Sequence, residues 1–104
     1  MKKMIPLFYL LIFIHATAQA GTGSGKVLEL NIRAYDNLML VKVENYVDSC
    51  TNWNHQFGMP INTETGKAIY SLLLSAKMSG KEVHIQGTGS CNGPEGISEV
   101  NMKK

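Results

Sequence analysis

The stretch Thr63 to Cys91, TETGKAIYSLLLSAKMSGKEVHIQGTGSC, constrains the fold of this 104-residue chain more than any other. Its apolar residues first recur at helical spacing: Ile69, Leu72, Leu73 and Ala76 follow i, i+3, i+4, i+7. Asn62 or Thr63 is placed to cap that helix, and Glu64 suits the positive end of its dipole. Gly80 supplies a left-handed stop, with Lys77 and Lys81 near the last carbonyls. The period then changes to two. Val83, Ile85 and Gly87 alternate with Glu82, His84 and Gln86, which predicts a half-buried strand over Glu82 to Thr88. The same parity carries Cys91 to the inner side.

The helix has a second apolar stripe, Tyr70, Leu74 and Met78, four residues apart. A surface helix normally buries one stripe. The second is read as the face that meets another subunit, making the protein a homo-oligomer. The competing reading is that strands curl over both stripes, or that a few apolar residues stay exposed.

The remaining segments read as partners for this unit. Val27 to Arg33 alternates, with Leu28, Leu30 and Ile32 facing one way. Ala34 to Asn37 supplies turn chemistry. Leu38 to Tyr46 follows, with Met39, Val41 and Val43 inward and Leu38 and Leu40 outward. Val47 to Asn54 is polar and turn-rich. Trp53, His55 and Phe57 alternate, so a third strand is expected near Asn52 to Met59, ended or held to an edge by Pro60. Asn92 to Gly96 reads as a loop, and Ile97 to Met102 as a last strand. The chain is thus mainly β with one helix, in the order β-β-β-α-β-β.

The N-terminus reads as a targeting segment. Lys2 and Lys3 precede the apolar run Ile5 to Ile14, which is short for a membrane span. Ala18-Gln19-Ala20 then has the small-x-small form of a signal-peptidase site, and Ala16-Thr17-Ala18 is a second one. The expected division is a signal peptide over 1–20, a flexible leader over 21–25 (GTGSG) and one domain over 26–104. A retained anchor is the competing reading. Cleavage leaves 84 residues and no membrane span. It also removes Lys2 and Lys3, leaving eight basic and eight acidic side chains. A neutral surface argues against nucleic acid and against docking on anionic lipid. The expected location is secreted or periplasmic. There, Cys50 and Cys91 are expected to form a disulfide, which in the chain-entropy model adds ~4 kcal/mol for a loop of about 40 residues. A redox or metal cysteine would need closer spacing of thiols or histidines.

No catalytic motif appears, so an enzyme is not expected, and neither a cofactor nor a metal is implied. His84 reads as a polar residue on the outer face of its strand, and His55 as an exposed histidine or a ligand contact. The cluster Thr51 to Gln56 sets Trp53 among amide side chains, a combination suited to a sugar or a peptide. Trp53 packed in the core or over the disulfide is the plainer reading.

The order of elements resembles the OB-fold, a five-stranded Greek-key barrel with its helix between strands three and four. With export and one disulfide, the chain resembles the pentameric B subunits of AB-type bacterial toxins. The passage Ala68 to Ile85, AIYSLLLSAKMSGKEVHI, is similar in layout to the subtilase-cytotoxin and typhoid-toxin B subunits. That resemblance implies ring assembly, a glycan-binding role and a toxin A subunit as a possible partner. In an OB-fold the loop between strands one and two borders the ligand. Here it holds Arg33, Tyr35, Asp36 and Asn37, which with Trp53 are the candidate ligand contacts. In the competing account, Asp36 and Asn37 only make the turn. The alternative function is an envelope inhibitor or protein-interaction domain acting through the 92–96 loop.

Overall fold

The computed structural model describes residues 20–47, 55–91 and 93–103. Among them are five strands and one helix: β1 (Thr22–Arg33), β2 (Leu38–Val47), β3 (Phe57–Pro60), α1 (Glu64–Ser79), β4 (Glu82–Gly87) and β5 (Glu95–Met102). The fold is mainly β. β1 pairs antiparallel with β2 on one edge and with β4 on the other. β2 pairs antiparallel with β3, β3 parallel with β5, and β5 antiparallel with β4. The five strands therefore form a closed ring, β1-β2-β3-β5-β4.

Local chemistry accounts for the helix. The Thr63 hydroxyl accepts the Gly66 N–H at 2.9 Å, so Thr63 rather than Asn62 is the cap. Gly80 takes the left-handed conformation, φ +72°, and the N–H of Lys81 returns to the Ala76 carbonyl. One face of α1 packs against β1, β4 and β5. Leu73 and Ala76 are fully buried there, while Ile69, Leu72 and Tyr70 lie half-buried against the core. Tyr70 thus belongs with the core, and the second apolar stripe narrows to Leu74 and Met78. Met39, Val41, Val43, Phe57, Val83, Ile85 and Ile97 fill the ring. Burying each large side chain contributes about 1.5–3 kcal/mol.

Several expectations need correction. Residues 22–25 are not a flexible leader but the first part of β1: 22–24 pair on both edges, and Gly25 pairs with β4. Composition suggested flexibility; hydrogen bonding to two neighbours overrides it. β1 also does not alternate as expected. It carries one extra residue over β2 between Ser24 and Val27, and another between Val27 and Glu29. Gly25, at φ +105°, provides the first bulge, and the Lys26 N–H freed there donates to Glu44 Oε1 at 2.8 Å. Val27 turns inward as a result, and Leu28 is left 48% exposed. Leu30 still packs against the core, but Ile32 at the far end is largely exposed.

Leu40, expected outside, is buried. Its β3 partner Gly58 has no side chain, and the space a Cβ would take there is already filled by the Leu40 and Pro94 side chains. His55 is a turn residue at φ +59°, so the described part of the third strand begins only at Phe57. The expected strand start at Asn52 lies outside the described residues. β5 begins at Glu95, inside the expected loop.

Gly66 sits in the first turn of α1, where a Cβ would collide with the Pro60 carbonyl oxygen. We expect Gly66→Ala to destabilise the fold by roughly 1–3 kcal/mol or more, as overpacking does, despite the better helix propensity of alanine. Urea unfolding checks this, with the exposed neighbour Lys67→Ala as a control that stays within about 0.5 kcal/mol of the parent.

Candidate functional site

Four of the five expected ligand contacts cluster at the β1–β2 turn. Arg33 Nη2 lies 2.6 Å from Asp36 Oδ2, and Nε lies 3.3 Å from Oδ1, a bidentate pair. The guanidinium also sits over the Tyr35 ring, 5.2 Å from its centre. The hydrogen bonds that Arg33 donates to the Asp36 carboxylate raise the Arg33 pKa above its ordinary value, against a smaller opposing effect of desolvation. Arg33 is therefore charged at every working pH. Asn37 takes the left-handed conformation, φ +56°, and its carbonyl accepts the Ile61 N–H at 2.8 Å. These residues make and brace a turn. Tyr35, 81% exposed, is the part that faces outward. The fifth contact, Trp53, lies outside the described residues.

A cleft of about 270 Å³ opens elsewhere, lined by Leu28, Lys42, Val43, Glu44, Tyr46 and His55. The local folding of β1 and β2 explains its lining. Lys42, Glu44 and Tyr46 occupy alternate positions of β2 and so share a row. Leu28 is the residue that the second bulge of β1 pushes out of register. The turn before β3 brings His55 against Tyr46, edge to face at 5.4 Å. Tyr46 also meets the buried Phe57 edge to face at 4.8 Å, so one ring joins the cleft to the core. Lys42, the cleft residue of β2 nearest the turn, stands four positions from Leu38, about 13 Å along the strand. The turn and the cleft are therefore separate places.

Behind Tyr46 lies a group that the sequence did not single out. Glu95 is fully buried. Its Oε2 accepts the N–H of Gly21 at 2.7 Å and of Gly89 at 2.9 Å, and its Oε1 accepts the Tyr46 hydroxyl at 3.5 Å. Gly87 makes room for it, since a Cβ there would overlap Oε2. Within NGPEG, Glu95 looked like a loop residue. Its partners Tyr46 and Gly21 stand 49 and 74 positions away, so no local pattern marks it.

Cys91 is exposed, not inward as its parity suggested, because Gly89 at φ +85° turns the chain after β4. It is not a free thiol. Cys50, its expected partner, lies outside the described residues. On α1, Leu74 is 39% and Met78 80% exposed. Among the described residues no three His, Cys, Asp or Glu side chains converge on one point, and no helix is long and apolar enough to cross a membrane. No family model, curated protein or solved structure matches the chain.

If the Arg33–Asp36 pair only braces an exposed turn, Asp36→Ala should leave the melting temperature nearly unchanged, and salt should remove whatever small difference exists. Thermal melts at low and high ionic strength measure both.

Proposed function

We propose that this chain is an exported, non-catalytic binding module of OB type that takes a glycan at the cleft beside Tyr46 and His55. One observation carries the reading: at that cleft an aromatic ring meets an ammonium, a carboxylate and an imidazole. Such a combination holds a polyhydroxylated ligand, with the ring against its apolar face and charged groups bonding its hydroxyls. Lys42 donates and Glu44 accepts; Glu44 already receives the Lys26 N–H, and a carboxylate has further lone pairs to offer. The space is just below the ~300–1,000 Å³ of drug-sized pockets, which suits a small terminal group.

The ring order and the helix between β3 and β4 support a Greek-key barrel of the OB type. In that fold ligands lie on the face of strands two and three and on the flanking loops. The cleft lies on strand two, and the Tyr46–Glu95 bond ties it to the start of strand five. A Cys50–Cys91 bridge, cleavage of residues 1–20 and a secreted or periplasmic location belong to the same proposal. The alternative, protein interaction through residues 92–96, loses Glu95 as a contact, since that side chain is buried.

A glycan array with the folded parent, Lys42→Ala and His55→Ala tests the reading. The parent should bind at least one glycan class, and each variant should weaken it roughly tenfold or more, the value of a hydrogen bond to a charged group. A folded parent that binds no glycan removes the proposal.

Assembly through α1 is proposed on the exposure of Leu74 and Met78, one helical turn apart. Light scattering should then find an oligomer at micromolar concentration, and Leu74→Lys should yield a folded monomer. A parent that is strictly monomeric would rule out this interface.

A further inference from the structure

We infer that the nitrogen of Gly21 is the N-terminus of the working protein and that its ammonium is the counter-ion of buried Glu95. The inference rests on the export reading above and goes beyond it by choosing between the two cleavage sites.

Glu95 is wholly removed from solvent, yet among the described residues it is paired with no lysine, arginine or histidine. Its acceptors are met by two backbone amides and a phenol. A buried carboxylate without a cation is costly, and such groups are normally paired. The nearest of its donors is the Gly21 nitrogen at 2.7 Å. That nitrogen belongs to the bond that follows Ala18-Gln19-Ala20. Hydrolysis adds water across the Ala20–Gly21 bond, leaving a carboxylate on Ala20 and an ammonium on Gly21. One amide N–H then becomes three N–H donors carrying a positive charge, already at hydrogen-bond distance from Glu95.

The position of the nitrogen does not depend on what precedes it. The Gly21 carbonyl accepts the Gly87 N–H at 2.8 Å, and Thr22 pairs with Gln86. Cutting at Ala16-Thr17-Ala18 instead would leave Gln19 and Ala20 attached. The charge would then stand about 7 Å further along the chain, and Gly21 would keep a neutral amide. Only the later site converts the partner of Glu95 into a cation.

The full chain expressed with export, purified and read by intact mass and N-terminal sequencing should begin at Gly21. Under limiting acetylating reagent its terminal amine should react several-fold more slowly than its exposed lysines. A precursor with two residues inserted between Ala20 and Gly21 should give a mature chain melting at least about 5 °C lower. Glu95→Gln should erase the difference between the two N-termini; if it does not fold, the inserted variant and the amine reactivity still decide. An exported chain cut elsewhere, or a folded chain whose Gly21 amine reacts as fast as its lysines, overturns the pairing alone. A chain that keeps residues 1–20 overturns the export reading with it.

Discussion

A ring of five strands closes only if its last edge meets its first, and in this protein the bend of β1 brings it from β2 to β4. Its first five residues pair with β4 while its whole length pairs with β2. The two extra residues, around Gly25 and at Leu28, supply the bend. Gly25 is the point where an L-residue with a side chain would be strained, at φ +105°. The Glu44 carboxylate answers the amide that the bulge releases. Without that bend β1 and β4 would be exposed edges, and an unpaired edge is a template for aggregation.

The same bend positions the surface features. It turns Val27 into the core and leaves Leu28 at the rim of the cleft. Tyr46 then works in three directions: against His55 at the cleft, against Phe57 in the core, and toward Glu95 by its hydroxyl. Cleft, core and buried carboxylate therefore meet at one side chain. The β1–β2 turn, by contrast, stands apart, and its charges are largely spent on each other.

Legibility in the sequence followed the distance over which each signal acts. The helix limits were readable because capping is local: Thr63 bonds Gly66, and Gly80 follows the last turn. The inward residues of β2 and β4 were readable because alternation needs only neighbours. β1 misled because the shift at Leu28 changes parity without any residue that marks it, and because Gly-Ser composition, Gly25 included, looks the same in a linker and in a packed, bulged strand. The candidate site was the least legible part. The turn residues have the right chemistry for a ligand, but Arg33 and Asp36 close on one another. Lys42 and Glu44 looked like ordinary outward strand residues until Leu28 and His55 were brought beside them.

By itself the sequence determined the kind of elements, their order along the chain, the ends of the helix and most of the core. Each of these depends on side-chain period and on residues within one turn of each other. Only the tertiary structure decided that residues 22–25 are strand, that Leu40 is covered, and that Glu95 is buried beside Gly21. Those outcomes depend on pairing between segments tens of residues apart, where closing the ring outweighs local preference.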